Sequence, residues 1–154
     1  MDLLTLHQRI YERSGGWIGH RLIGVPCLLL RATGRRSGET RSCALVYARD
    51  GQDYVLVASN GGSDRPPGWL FNVEATPAVQ IQVGRTSSHA TARIVTSDDP
   101  GYPRLWKLVN DANHGRYDVY QLRTRRPIPL VVVTPAIVPA PTIPMPAGDP
   151  GDAP

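Results

Sequence analysis

The chain holds a single lysine, a single phenylalanine and two cysteines, and none of its apolar runs is long enough to cross a bilayer. Each shortage excludes something. With Lys107 the only lysine among seventeen basic residues, the formal charge of +4 and the pI near 9.4 rest on arginine, whose planar fork suits bidentate recognition of phosphate or carboxylate. A genome that spells basic residues as arginine accounts for most of them, so only clustering carries functional weight. The charge is modest and the aromatics do not interleave with the basic cluster, which argues against nucleic acid as a partner. The most apolar late run, "IPLVVVTPAIVPAP", is broken by Pro129, Pro135, Pro139 and Pro141, so it is not one spanning helix.

The cysteines flank the turn in "LLLRATGRRSGETRSCALVY". With Arg36 and Ser37 at its tip, Thr33 faces Thr40 and Cys43 faces Leu30, leaving Cys27 and Cys43 three residues out of register, roughly 10 Å along a strand and too far for a disulfide. They read as buried free thiols of a reducing cytoplasm. His7, His20, His89 and His114 are dispersed without ligand spacing, so no metal is expected, and no Ser-His-Asp set or paired carboxylates stand out. The N-terminus opens with Met1-Asp2 and lacks a continuous apolar core, which argues against a signal peptide.

At 154 residues the chain suits one compact domain, long enough to bury roughly 68–70% of its unfolded surface. Leu3, Leu4, Leu6, Ile10 and Tyr11 predict an amphipathic helix over 1–16, ended by Gly15-Gly16. Its polar face mixes Asp2 and Glu12 with Arg9 and Arg13, which favours docking on the domain over peripheral membrane contact. After a second apolar patch at Trp17, Ile18, Leu22 and Ile23, "CLLLRAT", "RSCALVYA" and "DYVLVAS" read as an antiparallel meander. "WLFNVEAT" reads as a short helix ended by Pro77, and "VQIQV" with "SHATARIVT" as a hairpin turning at Gly84. A helix from about Pro103 to Ala112, a short one in "RYDVYQLRTR" and a closing strand "IPLVVVT" complete residues 17–135. Residues 136–154, dense in proline and without periodicity, read as a disordered tail. About six strands, with helices inserted before the last, predict an α+β domain built on one small antiparallel barrel.

Three constellations carry chemistry. Gly34 and Gly38 bracket Arg35, Arg36 and Ser37, with Arg41 close behind, so amides, hydroxyls and guanidiniums converge on one anion. Ser59, Asn60, Gly61 and Gly62 end a strand in a turn that lets a flat ligand approach backbone. Tyr117 and Tyr120, three apart after His114, share one face of a short helix, where they either meet a substrate or cap the barrel.

The order "TGRRSGETR", "ASNGGSDRPPGWLFNV", "YDVYQ", "RPIPLVVVTP" resembles the deazaflavin (F420)-dependent nitroreductase family, from about Trp17 to Pro135. The resemblance implies a split β-barrel like that of FMN-binding oxidoreductases, with short peripheral helices. It further implies an oxidoreductase that moves hydride from reduced coenzyme F420 to a quinone, nitroaromatic or other conjugated acceptor. By the same resemblance Arg35, Arg36, Ser37, Gly38 and Arg41 hold the coenzyme's acidic handle. Ser59, Asn60, Gly61 and Gly62 line its ring, braced by Trp69 and Asn72, and Tyr117 and Tyr120 face the acceptor, one of them a candidate proton donor. Split barrels of this type often pair as homodimers, which the resemblance carries over. Two positions depart from familiar relatives: Asn60 stands where they carry lysine, and His114 where they often have tyrosine. The alternatives are an FMN enzyme like the pyridoxamine-phosphate oxidases and a non-enzymatic binder of a lipid or small acidic ligand.

Overall fold

The computed structural model describes residues 25–137. The expected N-terminal helix, its membrane contact, the apolar patch at Trp17–Ile23 and most of the proline-rich tail lie outside the described residues.

Seven strand segments form one antiparallel sheet: β1 (Cys27–Thr33), β2 (Thr40–Val46), β3 (Ala48–Asp50), β4 (Asp53–Val57), β5 (Ala78–Val83), β6 (Thr86–Val95) and β7 (Leu130–Pro135). Their spatial order is β2-β1-β5-β6-β7-β4-β3. The two outermost segments, β2 and β3, are separated in the chain only by buried Tyr47. One bent strand therefore supplies both margins and the sheet must curl round to meet itself, giving the split antiparallel barrel expected from sequence, with the "RSCALVYA" strand broken at Tyr47 into two segments. Closure of this kind leaves little free edge for another chain to pair with.

The register follows from turn chemistry. Thr33 pairs with Thr40 and Leu30 with Cys43, as the hairpin argument requires. Gly51 (φ 61°) and Gly84 (φ 59°) supply the left-handed residue of two-residue turns joining Asp50 to Asp53 and Val83 to Thr86. Cys27 pairs with Val46 and both thiols are free.

Alternation along the strands builds two cores. Leu28, Leu30, Leu56, Ala58, Ile81, Val131 and Val133 face inward with Leu70 and Val73 of helix α1 (Gly68–Ala75). Val55, Val57, Leu130 and Val132 face the other way, under Leu105 and Val109 of α2 (Tyr102–Ala112) and Tyr117 of α3 (Arg116–Gln121). Thr76, driven to extended backbone by Pro77, ends α1, and Pro103 sits at the start of α2 where its missing N–H costs nothing. Asp118 ties α3 to α2 by accepting from Trp106 Nε1 and Asn110 Nδ2, both at 2.7 Å. Among the described residues no helix is long and apolar enough to cross a membrane.

Two outcomes follow. Leu56→Ala, at a fully buried inward position, lowers the unfolding free energy by about 2–5 kcal/mol, whereas Leu122→Ala, 88% exposed, changes it by less than about 0.5 kcal/mol, as urea titration reads directly. Burial raises the Cys27 thiol from 9.0 to about 11 and the Cys43 thiol to about 12, so at pH 8 each folded thiol holds at most about a hundredth of the thiolate of the unfolded chain. Alkylation by iodoacetamide at pH 8 is correspondingly slow until urea is added, and equal rates in both states contradict these environments.

Candidate functional site

The β1–β2 tip is a closed loop in which Gly34 N donates to Glu39 O at 2.7 Å and Gly38 N to Gly34 O at 2.8 Å. A Cβ at Gly34 would lie 2.7 Å from Ser37 Oγ and 3.1 Å from Glu39 O, so any larger residue would push the Ser37 hydroxyl aside and crowd the tip. Gly38 takes φ 71°. Ser37 Oγ accepts from Glu39 N at 3.2 Å, which leaves the hydroxyl's own proton to donate outward.

The tip is fastened to α1. Buried Asn72 presents Oδ1 to Arg35 N (3.1 Å) and Arg35 Nη1 (3.3 Å), and the guanidinium lies over the Phe71 ring, 4.9 Å from its centroid. Arg41 pairs with Glu39 at 3.6 Å, both well exposed, and Arg36 has no partner among the described residues. Between tip, strand and helix lies a cavity of about 420 Å³. Arg35, Arg36, Ser37, Arg41, Trp69 and Asn72 line it together with Gly34, Gly68 and Cys43, over a floor of Leu30 and Ala32. Six of the expected site residues thus meet in one place; Gly38 shapes the turn and does not line the cavity.

The second group stands where β4 leaves the sheet. Asn60–Gly62 form one 3₁₀ turn with Asn60 at φ 46°, Gly61 at φ 65° and Gly62 at φ 83°. Asn60 Nδ2 donates to Arg65 O at 2.9 Å, which draws its side chain along the loop. A Cβ on Gly62 would sit 2.5 Å from the Tyr120 carbonyl oxygen, so the loop lies backbone to backbone on α3. Ser59 is buried. Ala58, immediately before it, packs in the same inner core as Leu30, Leu70 and Trp69, so the loop and the cavity wall grow from one apolar cluster.

The tyrosines divide. Tyr117 is buried in the outer core against Trp106, with ring centroids 6.4 Å apart, and burial raises its phenol above the ordinary tyrosine range although the Asn113 side chain hydrogen-bonds to it. Tyr120, half-buried, meets it edge-on at 6.1 Å and borders a shallow depression of about 390 Å³ with His114, Arg116, Val119 and Arg123. The Arg123 guanidinium lies 5.4 Å from the Tyr120 ring centroid.

Arg123, inside the expected short helix "RYDVYQLRTR", and Arg126, first residue of "RPIPLVVVTP", receive no role from the sequence. Arg123 Nη1 donates to Gly61 O at 3.2 Å, and Arg126 reaches several carbonyls of the Ser59 loop. Phe71 and Glu39, which support Arg35 and Arg41, lie within the quoted motifs but likewise receive no role from the sequence.

A family model described as F420H(2)-dependent quinone reductase matches residues 3–135. The chain belongs to that family. Membership carries the family's chemistry, hydride transfer from reduced coenzyme F420 to a quinone. An F420H(2)-dependent quinone reductase of Mycobacterium tuberculosis (strain ATCC 25618 / H37Rv) is 50% identical over 135 residues, 87% of this chain and 91% of the relative. A solved F420-H2 dependent reductase is 36% identical, with a TM-score of 0.63, over 70% of this chain and 93% of its own. Another solved structure, described as a domain-swapped dimer, is 34% identical with a TM-score of 0.65, over 84% of this chain and 94% of its own. HutZ of Vibrio cholerae, a heme storage protein 14% identical with a TM-score of 0.54, covers 73% of this chain and 82% of its own and shares the fold.

The cavity fits such a coenzyme by its donor set: guanidiniums and a serine hydroxyl at the mouth for an acidic handle, and the Trp69 face beside them for an apolar stretch. Gly62→Ala tests the packing of the second group. Both Gly62→Ala and Gly84→Ala carry a positive-φ strain of about 1–3 kcal/mol, but only Gly62→Ala also drives a Cβ against the Tyr120 backbone, so it lowers the thermal midpoint by clearly more than Gly84→Ala.

Proposed function

We propose that the chain reduces a quinone-type acceptor with hydride from reduced F420, its β1–β2 tip gripping the coenzyme's anionic handle while the Ser59–Gly62 turn receives the ring. The convergence of Arg35, Arg36, Ser37 and Arg41 with Trp69 and Asn72 around one cavity carries this reading. When bound, the coenzyme supplies a two-electron carrier whose ring carbon gives up hydride.

The chain's own residues bind, orient and exclude water. Arg35, held by Asn72 and Phe71, serves mainly as a fixed positive wall. Arg36 and the Ser37 proton remain to bond a phosphate, and Arg41 can exchange its exposed pairing with Glu39 for one to the ligand. Trp69 and Asn72 brace the ring's path, Asn72 by holding the hairpin against α1. Gly61 and Gly62 keep side chains off the ring's approach. At the acceptor end Tyr120 offers the accessible phenol; Tyr117, buried and neutral, holds it edge-on.

The free thiols suit a reducing cytoplasm. A homodimer is the assembly this reading favours, since a solved relative is described as a domain-swapped dimer.

Fluorescence titration of oxidised F420 tests the reading. Wild type binds saturably, and Arg36→Glu, which removes about 1.5–3 kcal/mol of charged hydrogen bonding and adds repulsion, weakens binding by about tenfold or more. Arg85→Glu makes the same change of charge in the β5–β6 turn, at the opposite end of β1 from the tip, and leaves affinity within about twofold. Equal losses in both variants, or no saturable binding by wild type, overturn the assignment.

A further inference from the structure

The Arg126 guanidinium is spent almost wholly on one loop. Its Nε donates to Ser63 O at 2.8 Å, its Nη2 to Ser59 O at 2.9 Å and to Ala58 O at 3.2 Å, and its Nη1 to Ala58 O at 3.3 Å. In a trans peptide the N–H points opposite to the C=O of the same plane. Drawing the Ala58 and Ser59 carbonyls to Arg126 therefore aims the amides of Ser59 and Asn60 the other way.

The backbone there is curved to match. Ser59 is right-handed (φ −79°, ψ −33°) and Asn60 left-handed (φ 46°), the succession in which consecutive amides form a concavity for negative charge. Among the described residues nothing accepts the Ser59 or Asn60 amide. The Ser59 hydroxyl also has no partner among the described residues, although the residue is only 8% exposed. A buried hydroxyl beside two free amides is rare in a folded protein unless something else completes it.

We propose that Arg126 is a positioning residue, holding the Ser59 and Asn60 amides and the Ser59 hydroxyl as a preformed donor site for an oxyanion or carbonyl edge of the bound heterocycle. This rests on the coenzyme reading above and adds to it a named atom set and the residue that keeps it in place. Partial removal from water lowers the Arg126 pKa from its ordinary value, opposed by the nearby Asp64 carboxylate, and the guanidinium keeps its charge and its donors. Lysine cannot substitute, because one ammonium lacks the fork that spans three carbonyls.

The test uses the full chain, titrated with oxidised F420 and read by fluorescence and by the position of the absorption band at saturation. Arg126→Ala is expected to weaken binding by about tenfold or more and to move the saturated band toward that of free coenzyme, because the donors no longer hold its carbonyl edge. Millimolar methylguanidinium restores affinity and band in Arg126→Ala, but not in Ser59→Ala, which lacks the hydroxyl itself. An Arg126→Ala protein that binds within about twofold of wild type with an unshifted band overturns the inference. So does methylguanidinium that recovers thermal stability without moving the band, since that marks a mere tether. Should Arg126→Ala not fold, Arg126→Lys decides by the same limits. Wild type that binds F420 while both Arg126 variants match it overturns positioning alone; wild type that does not bind overturns the coenzyme reading as well.

Discussion

A single carboxamide oxygen holds the candidate site in shape. Asn72 Oδ1 takes both the amide and the guanidinium of Arg35, joining a hairpin tip to a helix 37 residues away. Asn72 is buried, so losing this acceptor would orphan a partly buried donor at about 1–3 kcal/mol, comparable with any contact the tip makes. The attachment also settles how three like charges coexist. Arg35 is fixed over Phe71, Arg41 leans on Glu39, and Arg36 projects alone. With side chains 61% and 73% exposed, the Arg41–Glu39 pair contributes at most about 1 kcal/mol, too little to compete with a phosphate. The tip thus holds its shape through Asn72 while its cations stay readily available.

The sheet accounts for why two remote stretches of sequence share this work. The bend at Tyr47 sends one strand to both margins, so β4 closes the barrel and delivers Ala58 into the inner core beneath Leu30 and Leu70. The loop after Ala58 therefore emerges from the cluster that floors the arginine cavity. On the outer face the same strands bury Val55, Val57, Leu130 and Val132 under α2 and α3, which sets Tyr120 next to Gly62. Period-two alternation thus does two jobs: one face of β4 supports the cavity and the other supports the helix that carries the phenols.

Local chemistry was legible in the sequence and long-range choice was not. The hairpin register came from counting outward from Arg36-Ser37, because a tight turn fixes every pair behind it. Helix α1 announced itself by Pro77, and Gly84 by its place between alternating runs. Tyr117 and Tyr120 do share a helix, yet spacing alone did not reveal that one is buried under Trp106 and the other accessible, a difference set by packing between helices. Arg126 opens the quoted run "RPIPLVVVTP", yet its role was not legible for the same reason: its partners lie 63 to 68 residues earlier in the chain and are backbone carbonyls, which no side-chain motif encodes. The bend at Tyr47 was missed because nothing in "RSCALVYA" interrupts strand propensity; closure of the barrel imposes it.

The scarcity of lysine acquires meaning once individual arginines are placed. Arg35 stacks on an aromatic face while bonding an amide oxygen, Arg126 spans three carbonyls, and Arg104 meets Asp50 through two bonds of 2.8 and 2.9 Å. Each use needs several donors in a fixed plane, and a lysine would satisfy one acceptor while leaving the others orphaned. Arg85 has no partner among the described residues, so a lysine there would serve as well. The guanidiniums whose nitrogens are individually matched to partners could not be lysines, and two of them, Arg35 and Arg126, shape the cavity wall and the Ser59 loop. Weakly hydrated and always charged, arginine also loses less than lysine when half-buried, so a site assembled between hairpin, helix and loop can keep its positive charge without flooding the space with water.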